Sequence, residues 1–315
     1  MSDFSTPAAY GGAGWSPRTT SLRDEIGRVW GACGLHDEWG PLRAVLLHRP
    51  GPELAVTDPD AAQLLEPVDP ERAAAEHDAL AKAYGAEGIL VHFVEPAGAP
   101  TPNLMFCADL FVMTPEGAIV GRPASTVRAG EERWVARRLG DLGIPIVRTV
   151  RGDGTFEGAD AMWLDARTVL VGRGLRTSPE GAAQVAAILG DMGVEAIPVD
   201  LPWGAMHLMG VLRIANRDLA IAWPGRLAVA AVEALRGRGY RVLFLPDAPA
   251  ADRSTALNFV TLAPGRILMA EGYPVFERFF EKAGLACRTT PVAELRRAAG
   301  GIGCLTGILE RAPGD

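Results

Sequence analysis

Four times along the chain two short apolar segments face each other across a four-residue turn: LFVM-TPEG-AIVG, MWL-DART-VLVG, LRI-ANRD-LAIA and FVTL-APGR-ILMA. The turns fall at Thr114 to Gly117, Asp165 to Thr168, Ala215 to Asp218 and Ala263 to Arg266, about 50 residues apart, the spacing of a repeat architecture. Apolar runs of this length bounded by Pro, Gly, Asn and Asp are strand signals, so each pair reads as a β-hairpin. Helix-like stretches follow three of them, GEERWVARRLGDLG, SPEGAAQVAAILGDMG and PGRLAVAAVEALRGRG, each closing on glycine where a helix would end. A further short strand completes each unit: IPIVRTV, VEAIPVD and YRVLFLP. A fifth copy is expected at LRAVLLHRPGPEL, with a helix from Pro70 to Tyr84 and the strand ILVHFVEP.

Five such units in an open row would leave apolar ends bare, whereas a closed ring buries them around one axis. The expectation is therefore one closed α/β domain over residues 38–315, preceded by an N-terminal arm, residues 1–37. That arm opens with MSDFSTPAAYGGAGWSPRTT, which shows no period. The competing architecture is a doubly wound α/β sheet.

Composition narrows the function. Lys and Arg number 31 against 38 Asp and Glu, a net charge of −7, and no basic block is present to neutralise phosphates, so nucleic acid is not an expected partner. No apolar run approaches the roughly 18 residues of a membrane span. Four scattered cysteines without a CxxC pair, and an N-terminus without a basic-then-apolar leader, suggest reduced thiols in a cytoplasm.

Cys304 stands out among the cysteines because GGIGCLT surrounds it with glycines that let a ligand approach the backbone; the alternative is a small core residue in a Gly-rich turn. Cys287 in GLACRTTP reads as a strand packing residue. His207 sits between PWGAM and an apolar strand, at an element end where sites concentrate, with a structural imidazole as the alternative. His48 and His92 lie inside apolar strands and His77 on a helix face. Two acidic clusters precede hairpins at equivalent places, NLMFCAD ending at Asp109 and FEGAD carrying Glu157 and Asp160. Carboxylates beside apolar strands need a partner, which implies a buried cation; capping is the bland alternative. HExxH, CxxC and a complete GxGxxG loop are all missing, so no metal or cofactor is expected.

Taken together, FEGAD, HLM, GGIGCLT, PNLMFCAD and EWGPLRAVLLHRPGPEL resemble the guanidino-group modifying superfamily, which includes arginine deiminase, dimethylarginine dimethylaminohydrolase and the amidinotransferases; the similarity spans roughly Glu38 to Glu310. The resemblance implies a pentein fold, a five-fold pseudosymmetric α/β propeller of ββαβ units. It also implies Cys304 as nucleophile, His207 as general acid/base, Glu157 as the carboxylate orienting the histidine and Asp109 as the grip on the guanidinium, with Asp160 in the same acidic cluster. Arg128 and Arg176 match regions that hold a substrate carboxylate in the hydrolases, surface solvation being the alternative. The deiminase motif reads His-Leu-Asp, whereas here it is His207-Leu208-Met209. Met209 cannot accept guanidinium hydrogen bonds, so an N-substituted guanidine is expected rather than plain arginine.

The implied activity is hydrolysis of a C–N bond in a substituted guanidine of the arginine-derivative type, through a thiouronium adduct on Cys304. Transfer of the amidino group to an amine is the alternative, and a non-catalytic pentein binding protein is a third reading, disfavoured by the joint presence of Cys304, His207 and Glu157. The expected partner is a small guanidino substrate, and a homo-oligomer is possible.

Overall fold

The computed structural model describes residues 6–246 and 256–314. Its strands form five three-stranded sheets, four of them from consecutive segments. These are β3–β4–β5 (Phe111–Thr114, Gly117–Val120, Ile146–Thr149), β6–β7–β8 (Ala161–Asp165, Thr168–Arg173, Glu195–Asp200), β9–β10–β11 (Leu212–Asn216, Leu219–Ala222, Arg241–Phe244) and β12–β13–β14 (Val260–Ala263, Arg266–Ala270, Ala286–Thr290). In each, a tight antiparallel hairpin is followed by a helix and then a strand parallel to the hairpin's second strand. The fold is the closed ring that the repeat anticipates and the pentein α/β propeller that the family resemblance implies.

The hairpin strands are buried nearly throughout, because each lies between neighbouring sheets on one side and helices on the other; hence their unbroken apolar runs. The third strands, β5, β8 and β11, are largely exposed edges and carry charged residues. Among the described residues five longer helices cover the outside: α1 (Pro70–Ala86), α2 (Glu132–Asp141), α3 (Pro179–Asp191), α4 (Val229–Gly237) and α5 (Pro274–Lys282). Asp69 caps α1 by accepting the Glu71 and Arg72 N–H groups, and Ser178 caps α3 through Gly181; proline occupies the first position of both. No described helix is long and apolar enough to cross a membrane.

The remaining sheet differs from the expected fifth copy. Leu42–Leu47 is a single strand, β1, parallel to β2 (Leu90–Phe93). The segment after it forms a 3-10 turn, Pro52–Leu54, not the second arm of a hairpin. The antiparallel partner of β1 comes from the far end of the chain, β15 (Gly307–Arg311), pairing Val45 with Ile308 and Leu46 with Gly307. Residues just before β1 dock on the same seam: Gly34 N–H donates to Leu309 and Arg311 N–H to the Gly34 carbonyl, while Cys33 and Leu35 join the core.

Candidate active site

The fold brings one turn from each unit to the same place relative to its first strand. Cys107–Asp109 leads into β3, Gly158–Asp160 into β6, Leu208–Gly210 into β9, Asn258 into β12, and the short helix α6 (Ile302–Leu305) into β15. Pseudosymmetry therefore gathers Asp109, Glu157, His207, Asn258 and Cys304 although up to 195 positions of sequence lie between them (304 − 109). Close approach is built in at Gly158: a Cβ there would lie 2.1 Å from the Phe111 carbonyl oxygen and 2.6 Å from that of Ala108. The glycine lets the turns carrying Asp109 and Glu157 sit against one another.

Asp109, Arg128, Arg176, His207 and Cys304 line one small cavity with Asn103, Phe106 and Gly300. His207, 4% exposed, places Nε2 2.7 Å from Oε2 of the fully buried Glu157. That hydrogen bond turns Nδ1 towards Asp109, whose Oδ1 is 3.9 Å away. Asp109 Oδ1 is buried and has no hydrogen-bond partner among the described residues, so it is an acceptor open to a ligand N–H.

Burial alone would drive the His207 ring neutral, but Asp109, Glu157 and Asp160 outweigh it and raise its pKa to about 9. Glu157 moves the other way: His207, Arg128 and Arg176 hold it ionised against its own burial. The Cys304 thiol is pushed up, by burial first and by Asp109 second, with Asn258 opposing. Asn258 clasps this residue from both sides: its Nδ2 donates to Sγ at 3.0 Å, and its Oδ1 accepts the Cys304 N–H at 3.1 Å.

The other expected ligands fall differently. Arg128 is 3% exposed and already engaged: Nη1 is 2.5 Å from Asp109 and 3.6 Å from Glu157, and Nε is 2.8 Å from Glu131. It lines the cavity, as expected from sequence, but its guanidinium is already paired with carboxylates of this chain. Arg176 is more open, at the cavity edge, 3.5 Å from Glu157. Asp160 faces away from the cavity, accepting the Thr177 hydroxyl at 2.6 Å and the Leu208 N–H at 2.8 Å; it is a support beneath His207, and burial raises its pKa to about 6. Met209 is not brought to the site: its side chain lines a second cavity, with Glu38, Arg213 and Arg311, on the far side of the nucleophile turn. The physical reason is the 3-10 turn at Leu208–Gly210, which separates its direction from that of His207.

Asp109, Glu157 and His207 lie close enough to offer three ligand atoms to a metal ion, but Arg128 already supplies the cation between the two carboxylates. Sequence reading missed Glu131 and Asn258. Glu131 carries no local signal; Asn258 could have been found by carrying the repeat register to the segment before FVTL.

A propeller of five three-stranded α/β units with a thiol, an imidazole and a carboxylate lining one cavity is the arrangement the family resemblance implies. The arginine deiminase family model matches residues 95–232. The dimethylarginine dimethylaminohydrolase of Streptomyces coelicolor is 28% identical over 271 residues, covering 84% of this chain and 96% of that one. The DDAH2 protein of Bos taurus is 31% identical over 206 residues, covering 64% and 70% respectively. Among solved structures, the dimethylarginine dimethylaminohydrolase of Pseudomonas aeruginosa bound to citrulline superposes with a TM-score of 0.71 at 22% identity, over 86% of this chain and all of that one. SxtG, an amidinotransferase from Microseira wollei, gives 0.74 at 16% identity, over 89% and 97%. The chain belongs to the guanidino-group modifying superfamily.

Proposed function

We propose that the protein is a hydrolase that cleaves a C–N bond of a substituted guanidine of the arginine-derivative type. The observation that carries this reading is the coupling of His207 to Glu157 at 2.7 Å in the cavity that Cys304 lines, with Asp109 Oδ1 unpartnered beside them. A planar guanidinium donates to Asp109 and so turns its central carbon towards sulfur. Its positive charge lowers the Cys304 pKa, which offsets the burial that holds the thiol neutral. The thiolate attacks that carbon, and the C–N bond breaks as the His207 imidazolium delivers its Nδ1 proton to the departing amine.

A thiouronium adduct remains on Cys304. Neutral His207 then takes a proton from water, the hydroxide adds to the adduct carbon, and the C–S bond breaks to release a urea-type product and the thiolate. Glu157 stabilises the imidazolium in both steps without leaving its place. The relatives named as dimethylarginine dimethylaminohydrolases support the hydrolytic reading. The likeness to an amidinotransferase keeps one variant in view, in which an amine in place of water takes the amidino group from the same adduct.

The test is incubation with arginine, methylated arginines, agmatine and guanidino acids, with and without added amines, followed by mass spectrometry of products and protein. A urea-type product and an adduct confined to Cys304 are expected, and Cys304→Ser should abolish turnover while ligand binding persists. Substantial turnover by that variant would overturn nucleophilic catalysis.

A further inference from the structure

Behind the nucleophile, on the side away from the substrate cavity, lies a second cationic group that the reaction described above does not use. Arg213 projects from β9 and is 8% exposed. Its Nε donates to the Leu257 carbonyl at 2.9 Å, one residue before the Asn258 that holds Cys304. Its Nη2 is buried and without a hydrogen-bond partner among the described residues. A Cβ on Gly303 would lie 1.7 Å from this Nη2, so the guanidinium rests on the backbone of the residue next to the thiol.

The charges around it leave Arg213 over. The cavity behind the nucleophile is faced by two guanidiniums, Arg213 and Arg311, and by one carboxylate, Glu38. Glu38 accepts the Trp163 N–H and acts most strongly on Arg311, which also feels Asp37. Among the described residues Arg213 forms no ion pair with a carboxylate; Cys304 is the first of the groups that favour its charge, ahead of Glu38. A buried guanidinium without a counter-charge is costly, and an ionised sulfur one residue beyond Gly303 would supply one.

We infer that Arg213 is a counter-charge for the Cys304 sulfur, a positioning residue that acts through Gly303 and Asn258 to lessen the cost of ionising a buried thiol. The inference rests on Cys304 being the nucleophile. The titratable and charged groups involved are Asp109 and His207 across the substrate cavity, Arg213 behind the sulfur, and Glu38, Tyr84 and Arg311 around Arg213.

The test needs no substrate. The full chain is alkylated with iodoacetamide across a pH series, the mass adduct on the Cys304 peptide is followed, and Cys304→Ser gives the background from the other cysteines. Because only the thiolate reacts, Arg213→Met should slow alkylation at pH 7 about tenfold and move the midpoint up by about one pH unit, while Arg213→Lys stays within about threefold of wild type. Superimposable profiles for wild type and Arg213→Met would overturn the inference, as would an equal loss in Arg213→Lys, which would mark a packing effect. If circular dichroism finds Arg213→Met unfolded, Gly303→Ala, which unseats Nη2, carries the same expectation and the same refutation. Absence of alkylation at Cys304 in every protein, with Cys287 modified, would remove the nucleophile itself; equal alkylation in all removes only the role of Arg213.

Discussion

Glu157→Gln changes one atom of the side chain and inverts its relation to everything around it. Glu157 is fully buried, and its oxygens face only donors and cations: His207 Nε2 at 2.7 Å, the Ala124 N–H at 3.1 Å, Arg176 at 3.5 Å and Arg128 at 3.6 Å. Glutamine has one acceptor oxygen and must turn its NH2 against one of these donors. The larger effect is on His207, whose pKa stands at about 9 against an ordinary 6.5, a rise worth on the order of 3 kcal/mol shared among Asp109, Glu157 and Asp160. Without Glu157 the ring loses its hydrogen-bond partner and one of the three charges that oppose its burial, so its pKa falls from about 9 while Asp109 and Asp160 still act against burial.

Because the folded value lies above the unfolded one, the stability His207 contributes is fully present below about 6.5 and is lost as pH rises through about 9. The variant should therefore be less stable than wild type by about 1–2 kcal/mol at pH 6 to 7, with the gap narrowing above pH 9. Turnover at pH 7 should fall by about 10²–10⁴, and the alkaline limb of the rate profile should move from near 9 towards neutrality. Denaturant unfolding and a pH–rate series on the same preparations measure both. A variant whose alkaline limb still lies near 9 and whose stability matches wild type would refute the coupling of these two residues.

Two further substitutions probe the frame around this pair. Gly158→Ala places a methyl 2.1 Å from the Phe111 carbonyl oxygen, so the Asp109 and Glu157 turns must part; a loss of about 2–3 kcal/mol in chemical denaturation is expected, and an unchanged midpoint would contradict the contact. Met209→Asp should leave the ranking of guanidine substrates unchanged, since the side chain lines the cavity behind the nucleophile; a shift towards unsubstituted guanidines in a substrate panel would put it back in the site.

Much of the ring was legible because hairpin turns are local. Thr114 to Gly117 and Asp165 to Thr168 announce themselves by residue type, and both join paired strands where the reading put them. The partner of β1 was not legible: nothing within LRAVLL or GILER says that strands some 260 residues apart in sequence will pair (307 − 47), since pairing choice is set by closure of the whole ring. At the site, the motifs single out Cys304, His207, Glu157 and Asp109, and the turn geometry puts them around one cavity and its supporting shell. The ion pairs of Arg128 and the direction of Met209 were not legible, for a common reason. Sequence gives the position of a side chain along the backbone, whereas the direction it takes out of a 3-10 turn depends on neighbours such as Glu131 and Leu208 that only tertiary packing supplies.

The seam between β1 and β15 has a bearing on when the chain acquires chemistry. Cys304 lies in α6, immediately ahead of the last strand, so the sulfur takes its seat only as the first and last segments meet. During synthesis His207 and the carboxylates emerge well ahead of Cys304, and a polypeptide that stops short of residue 304 lacks both that sulfur and the last strand of the ring.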